Sequence, residues 1–128
     1  MTREAMTTDD HADVRDLMSA VAYVLDSHEY DRLGEVFAAD VHFENPGRLV
    51  ADGLPALIEA FKGIADPAIS HHVTNVVVTP VDATTATCRM KALALRSGGV
   101  LTAAEYTDTV RKEATGWRIA SRHIRPLG

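Results

Sequence analysis

The hydrophobic positions change their period near residue 67, which divides the chain into a helical part and a strand part. The first predicted helix runs from about residue 8 to residue 27. Its apolar residues recur at helical spacing: Val14, Leu17, Met18, Val21 and Leu25. A second short helix is predicted over residues 30–38, and GLPALIEAFKGI predicts a third. Between these two helices, DVHFENPG predicts a short strand that ends at the Pro-Gly pair.

After Pro67 the pattern has period two and is rich in β-branched residues. It predicts four strands, over about residues 70–79, 84–97, 100–112 and 116–125. The connections PVDAT, SGG and EATG are short and rich in turn-forming residues, which favours antiparallel hairpins. We therefore predict an α+β fold, in which three N-terminal helices pack on a strongly curved, mostly antiparallel sheet. Such a sheet would form a cone with an apolar interior.

Composition narrows the range of functions. A length of 128 residues predicts one domain, with residues 1–8 as a loose tail. The net charge of -5 and the lack of any basic run argue against a nucleic-acid partner. No apolar stretch approaches the roughly 18 residues that would span a membrane. A single cysteine, Cys88, and no apolar leader segment predict a cytoplasmic protein. No GxGxxG, P-loop or GxSxG motif is present, so no cofactor is expected.

Several stretches together resemble a known family. LDSHEYDRLGEVFAADVHFE, GLPALIEAF, HHVTNVVV and AEYTDTVRKEATGWRIASRHI resemble the SnoaL-like branch of the nuclear-transport-factor-2-like superfamily over about residues 10–125. The resemblance implies a cystatin-like cone. The superfamily includes dehydratases, isomerases, cyclases and epoxide hydrolases, together with proteins that have no catalytic activity, so the fold does not specify the reaction.

The resemblance to scytalone-dehydratase-like enzymes also implies a catalytic pair. Asp26 matches the aspartate of their first helix, and His71 matches the histidine that opens the strand after the third helix better than His72 does. Strand side chains alternate, so only one of the two histidines can face the cone. These enzymes also carry a tyrosine on the first helix, where this chain has Val21 or Leu25.

Other residues are expected around this pair. Tyr106 and Asp108 share one face of a strand, where Tyr106 could donate a hydrogen bond to a substrate oxygen. Alternatively, both belong to a structural pattern that ties the strand to Arg122. By alternation, Asn75 shares the face of His71. The candidate substrate-binding residues are therefore Leu25, Phe43, Asn45, Asn75 and Asp108, lining an apolar cavity with a few polar anchors. No metal site is expected, because the adjacent histidines point to opposite faces.

We therefore predict a cofactor-independent lyase or isomerase that acts on a small hydrophobic molecule. Asp26 would orient the imidazole of His71, which would take and return a proton during a dehydration, a double-bond shift or a ring closure. One alternative is a non-catalytic domain that binds a ligand or assembles with a partner. Another is an epoxide hydrolase that uses Asp26 and Asp108 with Arg89 or Arg96. A homodimer through the sheet is expected, because apolar residues alternate over both of its faces: Val76, Val78, Met90 and Leu93.

Overall fold

The computed structural model describes residues 5–128 and forms one curved six-stranded sheet with its helices on one side. In chain order the elements are α1 (Thr8–Asp26), a first 3-10 helix (Tyr30–Glu35), β1 (Phe37–Asn45), β2 (Leu49–Asp52), α2 (Leu54–Lys62), β3 (Ser70–Asp82), β4 (Thr85–Arg96), a second 3-10 helix (Ser97–Gly99), β5 (Val100–Glu113) and β6 (Gly116–Leu127). No helix among these residues is both long enough and apolar enough to cross a membrane.

A capping box starts α1. The Thr7 amide donates to Asp10 Oδ2 at 3.0 Å, and the Asp10 amide donates to Thr7 Oγ1 at 3.0 Å. Residues 1–4 of the expected loose tail lie outside the described residues. Met6 is buried in the core and Thr7 forms the cap, so the tail cannot extend to residue 8 as predicted.

The second predicted helix is wrong in type and too long. It is a 3-10 helix that ends at Glu35, and the chain then enters β1 two residues later. The Ile119 amide donates to the Val36 carbonyl at 2.9 Å, and β1 pairs in parallel with β6 from Phe37 onward. This pairing with a distant strand overrides the local helical pattern. The N-terminal part therefore contains two α-helices and one 3-10 helix in place of the three helices predicted.

The sheet has the order β2-β1-β6-β5-β4-β3, and all pairs except β1 with β6 are antiparallel. The four predicted C-terminal strands are therefore confirmed as a meander. The short edge strand β2 was not predicted. On β4 the even-numbered residues from Ala86 to Ala94 are buried and face the core, and the last two of them, Ala92 and Ala94, are alanines. Small side chains at this end of the sheet leave space that larger ones would fill.

A β-bulge divides β3. Thr74 pairs with Lys91 and Val77 with Arg89, so β3 holds one more residue than β4 across this interval. Asn75 takes the extra position in the left-handed region, with φ of 58°, and the Arg15 Nη1 donates to the Val76 carbonyl at 3.0 Å. Beyond the extra residue, the side chains of β3 that face the core are the even-numbered ones, whereas before it they are the odd-numbered ones. Asn75 is consequently exposed, and the prediction that it shares the inner face with His71 is wrong.

Candidate active site

A cavity of about 430 Å³ opens at the end of the cone where the alanines of β4 lie. Its wall is mostly apolar, with contributions from α1, α2 and the ends of the strands. A smaller set of polar or charged side chains also lines it: Tyr30, Asn45, Arg48, His71, Arg96, Thr102, Tyr106 and Arg122. An apolar cavity with a few polar groups is the common form of a small-molecule site.

Asp26 and His71 meet at the edge of this cavity. Asp26 is the last residue of α1 and His71 is the second of β3, and the packing of α1 on β3 brings them together. The His71 Nδ1 lies 2.7 Å from Asp26 Oδ1. The backbone amide of His71 also donates to both carboxylate oxygens, at 3.0 and 3.2 Å. With side chains 23% and 19% exposed, the two residues are mostly enclosed, and of the two His71 lines the cavity whereas Asp26 lies behind it.

This contact determines which ring nitrogen of His71 can react. A carboxylate accepts hydrogen bonds only, so in the neutral imidazole the proton sits on Nδ1 and points at Asp26. The Nε2 atom is then a free acceptor. The two amide hydrogen bonds hold the Asp26 carboxylate in place, so it in turn restricts the ring. The pair therefore has the arrangement of an oriented general base.

His72 points the other way. It is exposed, and its Nε2 lies 2.8 Å from Ser70 Oγ. His71 therefore faces the cavity and His72 the outer surface of the sheet, as alternation along the strand requires.

Tyr106 lines the cavity from β5. The Arg122 guanidinium carbon lies 4.6 Å from the centre of its ring, a cation–π contact. Burial raises the pKa of the Tyr106 hydroxyl, which therefore stays protonated at neutral pH. It is thus available to donate a hydrogen bond inside the cavity.

Asp108 does not line the cavity, so its predicted role in substrate binding is wrong. It is completely buried, and it accepts hydrogen bonds from Arg122 Nε at 2.9 Å and Nη2 at 2.7 Å. Burial raises the pKa of the Asp108 carboxyl, and the Arg122 guanidinium opposes that rise. The other expectation for Asp108, that it connects its strand to Arg122, agrees with these hydrogen bonds. Asp108 thus fixes the Arg122 guanidinium, which in turn packs against the ring of Tyr106.

Three of the expected lining residues are in the cavity wall: Leu25, Phe43 and Asn45. Leu25 and Phe43 are buried, and the Phe43 ring packs edge-on against Phe61 at 5.6 Å. Asn45 Oδ1 is a buried side-chain oxygen without a hydrogen-bond partner in the described residues. Because such an atom is costly to leave unpaired, it marks a point where a ligand could contribute a polar group.

Sequence reasoning missed Tyr30, which also lines the cavity. His28 has a φ of 57°, and this left-handed residue ends α1 and turns the chain so that Tyr30 stacks on Phe61 at 5.8 Å. Burial and the negative charge of Asp26 raise the pKa of Tyr30. It is therefore a protonated tyrosine near Asp26, whereas the helix position Val21 is packed in the core. Tyr30 follows the end of α1, so helical spacing from Asp26 could not place it in the cavity.

The arrangement for an epoxide hydrolase is not assembled. Arg89 points away from the cavity and pairs with Glu105 at 3.1 Å. Arg96 does line the cavity, where its Nε donates to Thr102 Oγ1 at 3.3 Å. Asp108 accepts hydrogen bonds from Arg122, and Asp26 contacts His71. Within residues 5–128, no arginine contacts both aspartates.

Possible metal ligands do not converge in the cavity. In the described part of the chain, the one compact group of three such side chains is His42, Glu44 and His123, on the opposite surface of the sheet. The cavity therefore presents a histidine, tyrosine and threonine hydroxyls and arginines to any bound molecule.

Comparison with protein families gives one match over most of the chain. A family model described as a SnoaL-like domain matches residues 6–123. No curated protein matches the chain significantly.

Solved structures show the same fold. A candidate scytalone dehydratase from Novosphingobium aromaticivorans is 23% identical, with a TM-score of 0.80 over 95% of this chain and 89% of the other. An NTF2-like protein with a cystatin-like fold from the same organism is 25% identical, with a TM-score of 0.81 over 93% and 82%. A hexachlorocyclohexane dehydrochlorinase from Novosphingobium barchaimii is 18% identical, with a TM-score of 0.75 over 92% and 86%. The architecture predicted from the resemblance, an α+β cone, is confirmed.

Proposed function

The chain belongs to the SnoaL-like domain family, and from that premise we propose that it is a cofactor-independent lyase or isomerase for a small hydrophobic molecule, cyclic or polyketide-like. The observation that carries the proposal is the 2.7 Å contact between His71 Nδ1 and Asp26 Oδ1 at the wall of a 430 Å³ cavity. The names of two structural neighbours, a candidate dehydratase and a dehydrochlorinase, support the same class, since both denote eliminations.

The first step is removal of a proton from a carbon next to a carbonyl group. The His71 Nε2 lone pair takes this proton, and the C–H electrons move into the carbonyl to form an enolate. The Asp26 carboxylate, already bonded to Nδ1, stabilises the imidazolium that results. The Tyr106 hydroxyl donates a hydrogen bond to the enolate oxygen, and a hydrogen bond of this kind stabilises the negative charge most strongly where water is excluded.

The second step depends on what the substrate carries. If a hydroxyl group is β to the carbonyl, the imidazolium returns its proton to that leaving group and water departs, which is a dehydration. If the substrate has a double bond instead, the proton returns to a different carbon and the double bond shifts. In both cases His71 ends the cycle neutral, so no cofactor is required.

The test is hydrogen exchange and turnover with a panel of β-hydroxyketones and β,γ-unsaturated cyclic ketones, followed by NMR in D₂O. We expect His71→Asn to lower the rate by about 10²-fold or more, the size of effect typical of a general base. Tyr106→Phe should lower the rate and leave binding close to normal. His72→Asn is the matched control, because it removes an adjacent histidine on the outer face, and it should leave the rate unchanged.

The same experiment separates the alternatives. If the panel binds in the cavity but the wild-type protein causes no exchange, the chain is a ligand-binding domain and the enzymatic proposal is wrong. If His71→Asn exchanges protons as fast as the wild type, a different base acts and the role given to the pair is wrong.

We also propose that the protein is a cytoplasmic homodimer, joined through the outer surface of the sheet. Of the four residues expected to alternate over both faces, only Leu93 lies on the outer one; Val76 and Val78 pack against the core, and Met90 is buried in it. Other apolar side chains there are exposed: Val77 57%, Leu95 37% and Leu101 61%. Light scattering on the wild type and Leu93→Glu tests the proposal, with a dimer expected only for the wild type. A monomeric wild type would refute it.

A further inference from the structure

The outer surface of β1, β2 and β6 carries a compact group of metal-ligand side chains, on the face of the sheet opposite the cavity. His42 and Glu44 are two residues apart on β1 and share its outer face. Strand register places His123 of β6 opposite Glu44, and Asp52 of β2 opposite His42. One ligand atom each from His42, Glu44 and His123 lie within 4.8 Å of one another.

These side chains already contact one another. His42 Nδ1 lies 2.5 Å from Asp52 Oδ1, and His123 Nδ1 lies 2.9 Å from Glu44 Oε2. The two imidazole centroids are 5.5 Å apart. The side chains of His42, Glu44 and His123 are 37%, 39% and 53% exposed, so an ion can reach them from solvent.

We propose that this surface binds one divalent transition-metal ion of the Zn²⁺ class through His42, Glu44 and His123. Two imidazoles and a carboxylate are a donor set that suits Zn²⁺ and its neighbours, whereas Ca²⁺ and Mg²⁺ require oxygen ligands. Bonds of about 2.1 Å in a tetrahedral site place ligand atoms roughly 3.4 Å apart. The 4.8 Å group therefore needs only small side-chain adjustments, which partly exposed side chains can make.

Asp52 has a separate role as a positioning residue. By accepting the Nδ1 proton of His42, it leaves Nε2 of that ring as the atom for the metal. A carboxylate that orients a ligating histidine in this way is a regular feature of protein zinc sites. The fourth coordination position would face solvent.

The site is independent of the proposed function. On the same strands Phe43 and Arg122 alternate to the inner face, so the sheet separates the ion from the cavity. The ion would join β1 to β6, the one parallel pair, at a point beyond its register shift. Because the metal would bind the folded chain, it would also raise the thermal stability.

The test is isothermal titration of chelator-treated protein with ZnCl₂, supported by the absorption spectrum with Co²⁺. We expect one ion per chain with micromolar affinity and a rise in Tm with Zn²⁺. His123→Asn and Glu44→Gln should each weaken binding at least tenfold, and Asp52→Asn should weaken it less. His72→Asn is the control, because it removes another exposed histidine from the outer surface but not from this group, and it should bind as the wild type does.

Three outcomes would overturn the proposal. They are no heat of binding at 100 µM ZnCl₂, a loss of affinity in His72→Asn as large as in His123→Asn, and binding of several ions without dependence on any of these residues. Amide NMR provides a second reading if a variant folds poorly. In the wild type, shifts caused by Zn²⁺ should be confined to β1, β2 and β6, and shifts centred on His71 would also refute the assignment.

Discussion

Replacing Asp108 by asparagine should destabilise the protein strongly, because it leaves the Arg122 guanidinium buried without a counter-charge. The Asp108 side chain is 0% exposed and that of Arg122 is 3% exposed. Nε and Nη2 of the guanidinium both donate to the carboxylate, at 2.7–3.2 Å. Removing one partner of a buried pair of this kind costs about 3–5 kcal/mol.

Urea denaturation at pH 7, followed by the fluorescence of Trp117, measures the effect. With an m-value of about 2 kcal/mol per M, a loss of about 4 kcal/mol moves the midpoint down by roughly 2 M. Arg89→Gln is the surface control. The Arg89 side chain is 70% exposed in its pair with Glu105, so this variant should leave the midpoint nearly unchanged.

A double variant isolates the charge from the packing. Asp108→Leu with Arg122→Met removes both charges and retains similar volume, and it should recover most of the lost stability. If Asp108→Asn costs less than about 1 kcal/mol, or if the double variant is less stable than Asp108→Asn, the unpaired buried charge is not the dominant cost and the reasoning is wrong.

Three further predictions concern single residues. The Thr7 amide and the Lys112 ammonium hold the pKa of Asp10 well below its usual value, so Asp10 stabilises the fold above about pH 4 and loses that contribution progressively as pH falls; in urea, Asp10→Asn should have a lower midpoint than the wild type at pH 7, and the difference between the two midpoints should shrink as the pH is lowered from 5 to 2. Burial raises the pKa of Cys88 to about 11, so a thiol reagent at pH 8 should label it slowly in the native protein and rapidly in urea. Asn75 holds a φ of 58°, so Asn75→Val should cost about 1–2 kcal/mol while Asn75→Gly costs little; equal midpoints for these two variants would contradict the bulge.

Much of the fold could be predicted because its signals are local. The spacing of apolar residues in α1 and the alternation in β3 to β6 follow from the geometry of one helix and one sheet face, and the predicted bounds lie within a few residues of those observed. Alternation also required that only one of the adjacent histidines face the cavity, and the resemblance favoured His71. The resemblance paired Asp26 with His71, two residues that are 45 positions apart.

Errors arose where distant contacts, or a turn that no pattern marked, decided the outcome. The bulge at Asn75 reversed one face of β3, although nothing in HHVTNVVV distinguishes a bulge from a regular strand. Parallel pairing with β6 shortened the second helix, and the buried Arg122 removed Asp108 from the cavity. Tyr30 entered the cavity because the turn at His28 redirected the chain.

By itself, the sequence determined the class of the fold, the order of most of its elements and the residue types available for proton transfer, since periodicity and turn chemistry act over a few residues. Only the tertiary structure decided which polar groups meet, because a hydrogen bond of 2.7 Å between residues far apart in the chain depends on register, bulges and packing. The same rule holds on the outer surface. His42, Glu44 and His123 are unremarkable along the chain, and they form a group only when β1 and β6 pair in one particular register.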